Sequence, residues 1–365
     1  HNGTYYLQYA CPGTQYNTYA DGVYTSTSPL GPFVRQASNP FSAKPGGFIT
    51  GAGHGSTIAD RYGNWWHAST MRISVNYDFE RRVGLFPAGF DKDGVLYCNQ
   101  NFADYPHRIP AGKFDAASQQ PEWMLLSYKK PVTASSTAEG SSPALTVNED
   151  CRSWWSAAGT EPGEWLCVDL GKESDIRAIQ VNMADEKLVV DFPADSYGDT
   201  RKTRHIETRP QISHYTVETS VNGADWTTRE TVARECSNGY YEYADGIRAR
   251  YVRVTGGKLP YGQALRISGL RVFGNGEGPK PAQAEAAGAR VDALDATITW
   301  KHIENAQGCN VRYGVAPDKL YLSWLVYDTD EVTLSTLTAG QEYYVCVDSF
   351  NENGITPGKT FKLEG

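Results

Sequence analysis

The spacing of apolar residues restricts this chain to one class of fold. Aromatic and β-branched residues recur in short runs with a two-residue period, as at 215–219 and 296–300, and clusters of Gly, Asn, Asp and Pro separate the runs. Such alternation is typical of half-buried β-strands joined by hairpins, whereas an amphipathic helix repeats every 3.6 residues. No segment shows a long helical pattern. The sequence therefore predicts an all-β protein.

The length of the chain and the interruptions of its strand pattern predict its domains. At roughly 150 residues per domain, 365 residues correspond to two or three domains. The alternating strand pattern ends near residue 121, and a second interruption is the Gly- and Pro-rich segment at 275–282. These interruptions predict domains at 1–125, 126–275 and 282–365.

Charge and hydropathy exclude two kinds of partner. The formal net charge is −8, and a nucleic-acid partner would need a basic face for its phosphates. No apolar run approaches the roughly 18 residues of a membrane-spanning helix. We therefore predict no nucleic-acid partner and no membrane span.

The first residues and the cysteines leave alternatives open. The chain has no initiator Met, and a strand-like segment follows His1 at once with no earlier strand to pair with. We expect a truncated chain, with a mature N-terminus left by signal cleavage as the alternative. The seven cysteines show no zinc-ligand spacing. Buried free thiols are expected, although Cys309 and Cys346 could meet on neighbouring strands.

A series of motifs in the first domain resembles a known enzyme family. In order, the motifs are Asn-Gly-Thr-Tyr-Tyr-Leu-Gln-Tyr at 2–9, Ser-Pro-Leu-Gly-Pro-Phe at 28–33, Gly-His-Gly-Ser at 53–56 and Gly-Asn-Trp-Trp at 63–66. This series resembles glycoside hydrolase family 43, the five-bladed propeller enzymes that include arabinofuranosidases and xylosidases. Because a five-bladed propeller needs far more than 125 residues, the resemblance implies that 1–125 is the C-terminal half of one.

The resemblance implies roles for three residues. His54 would lie at the propeller axis, near the active site or a bound calcium ion, and the alternative is a buried, hydrogen-bonded histidine. Arg72, which ends the Gly-Asn-Trp-Trp strand, would reach the sugar. Asp21 stands between tyrosines and could contact the sugar, or it could form a turn. His67 is expected to pack within a strand.

The catalytic carboxyl groups are expected to be missing. Inverting glycosidases need one carboxylic acid and one carboxylate on opposite sides of the scissile bond. The resemblance implies that the base, a pKa-tuning Asp and the general acid all precede His1. Within the segment, Glu80 beside Arg81 and Arg82 is the best substitute, with a salt bridge between strands as the alternative. The remaining acids considered are expected in hairpin turns: Asp60, Asp91 and Asp93.

The second domain carries another series of motifs. It includes Lys-Pro-Val-Thr-Ala-Ser-Ser at 130–136, Trp-Leu-Cys-Val-Asp-Leu-Gly at 165–171 and Ile-Ser-Gly-Leu-Arg-Val-Phe-Gly at 267–274. The series resembles the discoidin domain (coagulation factor 5/8 type C), close to carbohydrate-binding module family 32. The resemblance implies a jelly-roll β-sandwich that binds a polysaccharide or oligosaccharide through loops at one end.

The same resemblance suggests residues for metal and sugar binding. A calcium ion often ties the loop that corresponds to 147–150, which would make Asp150 a ligand. An aromatic ring near the loops could stack on sugar, and the candidates are Trp154, Trp155, Tyr240 and Tyr261. For the two tryptophans, packing in the core is the alternative. The charged insertion at 184–210 is expected to be a solvated loop or to pack over the propeller.

The third domain is similar to a fibronectin type III domain, an immunoglobulin-like β-sandwich. Trp300 would be its core aromatic residue, and Tyr343 would be the tyrosine-corner residue. We assign no site to this domain.

Together these resemblances imply an O-glycosyl hydrolase. It would be secreted, periplasmic or bound to the cell surface, and would cleave α-L-arabinofuranosides or β-D-xylosides of plant polysaccharide by inversion. The 365 residues alone would be inactive. The alternative is a non-catalytic carbohydrate-binding or adhesion protein.

Overall fold

A computed structural model of the chain describes residues 1–73, 81–184, 210–335 and 337–365. Contacts between residues divide it into two units. The first unit comprises the described residues of 1–124 together with Glu277–Gly365, and the second comprises those of Leu125–Gly276. The segments predicted as the first and third domains therefore share one unit.

The secondary structure confirms the all-β class. In the described ranges, the helical segments are two short 3₁₀ helices, Pro143–Val147 and Pro260–Gly262. The first eight strands are β1 (Tyr5–Cys11), β2 (Ala20–Ser26), β3 (Val34–Arg35), β4 (Ser42–Ala43), β5 (Thr50–Ala59), β6 (Trp65–Arg72), β7 (Arg81–Phe90) and β8 (Leu96–Cys98). The next eight are β9 (Met124–Leu125), β10 (Val132–Ala134), β11 (Trp155–Ser156), β12 (Trp165–Met183), β13 (Ser213–Ser220), β14 (Thr227–Arg234), β15 (Asn238–Gly256) and β16 (Arg266–Asn275). The last eight are β17 (Ala286–Arg290), β18 (Ala296–Trp300), β19 (Gly308–Gly314), β20 (Leu322–Tyr327), β21 (Glu331–Leu334), β22 (Tyr344–Asn351), β23 (Gly354–Thr356) and β24 (Phe361–Lys362).

Two blade-like sheets make up the N-terminal part of the first unit. Strands β1, β2 and β3 are neighbours in one antiparallel sheet, with β4 also paired to β2. Strands β5 to β8 form an up-and-down antiparallel meander in chain order, which is the connectivity of a propeller blade. Val23, Phe41, Ala52, Phe86 and Leu96 belong to one buried cluster that both sheets supply.

The C-terminal part of the first unit is a β-sandwich of two antiparallel sheets, with strand orders β17-β18-β21 and β20-β19-β22-β23. Trp300 is buried in its core, as predicted. The Tyr343 hydroxyl accepts a hydrogen bond from the backbone N–H of Thr338 at 3.1 Å, the type of contact that a tyrosine corner makes.

The two parts of the first unit pack closely on each other. Ala20 and Ala43 of the blade-like sheets join the hydrophobic core of the C-terminal sandwich. The rings of Tyr97 and Tyr321 stack with their centroids 4.6 Å apart, and Lys319 forms salt bridges to Asp91 and Asp93.

The second unit is a sandwich built on two strands of 19 residues, β12 and β15. Its main sheet has the order β11-β16-β12-β15-β13-β14, and β10 also pairs with β12. Alternate residues of these strands, including Val168, Ile179, Val252 and Val254, are fully buried in one core. The register between β12 and β15 shifts between Asp169 and Ser174 and again between Ile176 and Ala178, which marks bulges or irregular pairing.

All seven cysteines lie within the described residues and carry free thiols. Cys309 pairs with Ser349 in the β19–β22 ladder, while Cys346 pairs with Arg312, so the two thiols do not face each other. The prediction of free, buried thiols is confirmed for five of them: Cys98, Cys151, Cys167, Cys309 and Cys346. Among the described residues, no helix is long and apolar enough to cross a membrane.

Candidate functional site

Asp21 lies inside β2, so its predicted placement in a turn is wrong. Its carboxylate is buried, and its Oδ2 atom accepts hydrogen bonds from the backbone N–H of Gly55 at 2.8 Å and from Nε2 of His67 at 3.0 Å. On the other side of the His67 ring, Nδ1 lies 2.9 Å from the Thr57 hydroxyl. His67 is fully buried in β6, as predicted, and its ring also forms a hydrogen bond with Asp21. This engagement leaves Asp21 poorly placed to touch a sugar directly.

His54 lies on an irregular stretch of β5. The pairing of β5 with β6 shifts register between Gly51 and Gly53 and again between Gly53 and Ser56. Within this stretch His54 has a φ of 57°, in the left-handed region that residues with a Cβ rarely occupy. Its side chain is exposed, so the alternative of a buried histidine is wrong.

The glycines beside His54 are required by close packing. A Cβ atom on Gly55 would lie 2.3 Å from His67 Nε2 and 2.5 Å from Asp21 Oδ2. A Cβ atom on Gly53 would lie 2.7 Å from the ring of Tyr19. The Gly-His-Gly sequence therefore presents His54 outward while its neighbours pack against buried side chains.

Arg72 is the last residue of β6, as expected from the motif. It pairs with Thr50 on β5 and with Arg81 on β7. Since Gly53 pairs with Thr70, Arg72 and His54 belong to the same end of the β5–β6 hairpin. The structure thus brings the predicted residues His54, Arg72 and Asp21 to one region of the first unit.

The acidic residues predicted in turns do occupy turns. Asp60 Oδ1 accepts the backbone N–H groups of Tyr62 and Asn64, and Asp91 Oδ1 accepts those of Asp93 and Val95. Desolvation acts to raise the pKa of Asp60, but hydrogen bonds from the Asn64 and Trp66 side chains and from the backbone lower it to about 2. Asp60 is therefore ionised at neutral pH and unsuited to act as a general acid. Glu80 lies outside the described residues.

The described ranges contain no group of three or more His, Cys, Asp or Glu residues that could hold a metal ion. His54 therefore has no such cluster around it in the part of the chain that the structure describes. Calcium at the propeller axis stays a prediction.

The second unit contains a cleft of about 490 Å³, which we call the sandwich cleft. Its wall combines one half-buried aromatic ring with charged and hydroxyl-bearing side chains. The polar and aromatic side chains that line it are Glu139, Ser141, Arg152, Ser153, Trp154, Ser156, Thr160 and Arg266. An apolar ring with a few polar groups around it is the composition of a small-ligand site.

Trp154 and Trp155 have different roles. Trp155 is fully buried, and its indole N–H donates to the Ser136 carbonyl at 3.1 Å, so it is a core residue. Trp154 is half-buried and lines the sandwich cleft. Of the other predicted aromatics, Tyr240 is 45% exposed and Tyr261 is partly exposed, and neither lines this cleft. The charged residues of the 184–210 insertion named by the sequence, Asp185 through Arg209, lie outside the described residues.

Asp150 belongs to a loop, residues 148–153, whose polar groups bond to one another. Asn148 Oδ1 accepts the N–H of Asp150, and Asp150 Oδ1 accepts the N–H of Arg152. The neighbouring Glu149 side chain is buried and pairs with Arg271. With these oxygens engaged, and with a guanidinium beside the loop, the donor set does not fit the predicted calcium ion at Asp150.

Two family models match parts of the chain. Residues 1–96 match the model described as glycosyl hydrolases family 43. Residues 145–254 match the model described as the NedA-like, galactose-binding domain. The first match contains Asp21, His54 and Arg72, and the second contains the 148–153 loop and Trp154.

Solved structures are similar only at low identity. A glycoside hydrolase structure matches with 19% identity and a TM-score of 0.39, over 74% of this chain and 57% of its own. A chitosan-binding module of a chitosanase/glucanase from Paenibacillus sp. IK-5 matches with 19% identity and a TM-score of 0.32, over 41% of this chain and 99% of its own. A fucose-binding module from Streptococcus pneumoniae matches with 17% identity and a TM-score of 0.31, over 44% of this chain and 99% of its own. The chain thus spans little more than half the length of the glycoside hydrolase structure, and TM-scores this low carry no argument about function. No curated protein matches the chain.

Three buried polar pairs were not predicted from the sequence: Asp21 with His67, Lys44 with Asp104, and Glu149 with Arg271. The partners are 46, 60 and 122 residues apart in the chain, and pairing at such separations leaves no local pattern. The one available signal was a charged residue at an inward-facing position, as for Arg271 between the buried residues Leu270 and Val272.

Proposed function

We propose that this chain is part of a glycoside hydrolase of the family 43 type. Its substrate would be an α-L-arabinofuranoside or β-D-xyloside of plant polysaccharide, cleaved by inversion. The observation that carries the proposal is the match of residues 1–96 to the family 43 model. His54 and Arg72, which lie toward the same end of the β5–β6 hairpin, support it. A polysaccharide substrate would place the protein outside the cytoplasm, as a secreted, periplasmic or cell-surface protein.

We further propose that the 365 residues do not carry out the hydrolysis themselves. An inverting pair needs two carboxyl groups facing the scissile bond from opposite sides. The described carboxylates of residues 1–124 have structural partners instead. These are Asp21 with His67, Asp60 with Asn64, Asp91 and Asp93 with Lys319, Asp104 with Lys44, Asp115 with Ala117 N–H, and Glu122 with Arg108.

The second unit would bind glycan. The supporting observations are the match to a galactose-binding family model and the sandwich cleft, in which Trp154 provides a stacking surface and Arg152 and Arg266 provide hydrogen-bond donors. This role also supports the competing function, a non-catalytic carbohydrate-binding or adhesion protein. The two functions differ in whether the natural polypeptide hydrolyses glycosides.

Two measurements test these proposals. Release of nitrophenol from nitrophenyl arabinofuranoside and xyloside should be undetectable with the 365-residue chain. Turnover by this chain would contradict the proposal that it lacks the catalytic carboxyl groups. Reading the coding sequence upstream of His1 should reveal an in-frame segment with the missing acids, and a polypeptide that includes it should hydrolyse one of these substrates. An inactive natural polypeptide that still binds galactose or oligosaccharide would favour the adhesion protein.

A further inference from the structure

We propose that the buried ion pair between Glu149 and Arg271 takes the place of a bound cation in the second unit. It would hold the 148–153 loop, and through it one wall of the sandwich cleft, without any metal. The effect on ligand binding rests on the glycan-binding role proposed above, whereas the effect on the loop does not. Glu149 and Arg271 are in this sense positioning residues.

The geometry of the pair is that of a clamp. Arg271 Nε donates to Glu149 Oε1 at 2.9 Å and Arg271 Nη2 donates to Glu149 Oε2 at 2.8 Å, which makes the contact bidentate. Each side chain is only 2% exposed. Arg271 Nη1 also donates to Gln180 Oε1 at 2.8 Å. The guanidinium of Arg271, which lies on β16, is thus bonded both to Gln180 on the neighbouring strand β12 and to Glu149 in the loop.

The loop has a backbone that needs such a partner. Glu149 has a φ of 64°, in the left-handed region that is unfavourable for a residue with a Cβ. A residue in this conformation persists only where its surroundings hold it. The two hydrogen bonds from Arg271 act on this residue directly, so they oppose its return to an extended conformation.

The chemistry of the loop argues against a metal in this role. Both polar atoms of the Asn148 side chain are engaged within the loop. Oδ1 accepts a hydrogen bond from the N–H of Asp150, and Nδ2 donates one to the Ser153 hydroxyl at 2.7 Å. The Glu149 carboxylate already binds a cation that the chain itself supplies, the Arg271 guanidinium. A calcium ion would have to displace these bonds to gather six to eight oxygens, and it would face the fixed positive charge of Arg271.

The clamp is connected to the cleft through the chain. Arg152, Ser153 and Trp154 follow Glu149 by three to five residues and line the sandwich cleft. The Ser153 hydroxyl and N–H both bond to the Asp150 carbonyl, so this wall moves with the loop. Release of Glu149 should therefore change the cleft as well as the loop.

Hydrogen exchange of the 365-residue chain tests the proposal, with mass spectrometry of peptides that contain 148–153. In the wild type, exchange of these peptides should be the same in excess CaCl₂ and in EDTA. Glu149→Gln should accelerate it about tenfold, equivalent to about 1.4 kcal/mol. Arg271→Lys, which keeps the charge but loses the bidentate contact, should act in the same direction and guards against a variant that does not fold. Arg248→Gln, which removes an exposed pair with Glu173 in the same unit, is the matched control and should leave these peptides unchanged.

Two outcomes would overturn the clamp. One is faster exchange of the loop of the wild type in EDTA than in CaCl₂, which would show that a metal holds it. The other is unchanged exchange in both Glu149→Gln and Arg271→Lys. Galactose binding, measured by calorimetry, is a separate readout. A wild type that does not bind galactose contradicts the galactose-binding role and leaves the exchange result to decide on the clamp.

Discussion

Asp21 and His67 form a buried hydrogen-bonded pair that joins β2 to β6, with Asp21 Oδ2 3.0 Å from His67 Nε2 and both side chains at most 2% exposed. The same Oδ2 accepts the N–H of Gly55 on β5, next to the exposed His54. One carboxylate oxygen therefore ties both blade-like sheets of the first unit together, and it does so beside the residue that the resemblance places at the propeller axis.

Asp21→Ala should destabilise the first unit strongly. The substitution leaves the buried ring nitrogen of His67 and the backbone N–H of Gly55 without their acceptor, and each buried donor left unsatisfied typically costs about 1–3 kcal/mol. Urea unfolding measures the change. Asp318→Ala is the control, because its pair with Lys92 is exposed on both sides and should contribute about 0–1 kcal/mol. Equal effects of the two substitutions would show that the Asp21–His67 pair is not what holds the sheets.

Gly55→Ala should destabilise the same site by a different route. The new methyl group would lie 2.3 Å from His67 Nε2 and 2.5 Å from Asp21 Oδ2, and both atoms belong to buried side chains that cannot move away freely. Overpacking of this kind typically costs about 1–3 kcal/mol. Gly159→Ala serves as the control, because the nearest atom to its methyl group is the end of the Glu164 side chain at 3.2 Å. Thermal unfolding compares the two, and a harmless Gly55→Ala would mean that the backbone of β5 can shift.

The two sites differ in how far the sequence could predict them. The motif around His54 predicted a histidine presented by glycines, and the structure explains this locally, because Gly53 and Gly55 leave no room for a Cβ. Asp21 was expected in a turn because Asp-Gly is a common turn sequence. The structure places it in β2, where the surrounding apolar residues and its distant partner His67 outweigh that local preference.

The same contrast holds in the other sandwiches. Trp300 could be predicted as a buried residue, since it ends a strand motif with a two-residue period, whereas for Trp155 the sequence left core packing and sugar stacking as alternatives. The Glu149–Arg271 clamp depends on residues 122 positions apart. Only the folded sheet brings the two side chains together. Because this contact leaves no trace in the sequence, the resemblance alone suggested a calcium ion as the partner of the loop.

The first unit should lose stability in acid through Asp91. Desolvation acts to raise the pKa of Asp91, but hydrogen bonds from Lys319, from Tyr321 and from backbone N–H groups outweigh it and hold the pKa below its ordinary value of 3.8. Because the folded pKa is lowered, the stabilisation is present above the unfolded pKa and is lost as the pH falls through the folded one. Asp91→Asn should therefore be less stable than the wild type at neutral pH and approach it below about pH 4. Urea midpoints over this range measure the difference, and a gap that stays constant with pH would exclude titration of Asp91.

Thiol reactivity should distinguish Cys11 from the buried cysteines. Cys11 is the cysteine with an exposed side chain. Desolvation raises the pKa of Cys167 and Cys309 to about 12 and that of Cys346 to about 11, which leaves almost no thiolate at neutral pH. In a titration with Ellman's reagent, the native chain should show a fast thiol that Cys11→Ser removes and no fast reaction of the five buried cysteines, while urea should release all seven. More than two fast thiols in the native state would contradict the burial of these side chains, because Cys11 and the partly exposed Cys236 account for two at most.

Trp154→Ala should weaken glycan binding without unfolding the second unit. Its half-buried ring lines the sandwich cleft, and a ring that stacks on a sugar supplies much of the contact area of such a site. We expect galactose affinity to fall by about tenfold or more, corresponding to about 1.4 kcal/mol, with little change in the unfolding midpoint. Tyr240→Ala removes an aromatic ring that is also exposed but does not line the cleft, so calorimetry should find wild-type affinity for it. Loss of binding in Tyr240→Ala, with Trp154→Ala unaffected, would place glycan recognition elsewhere on the second unit.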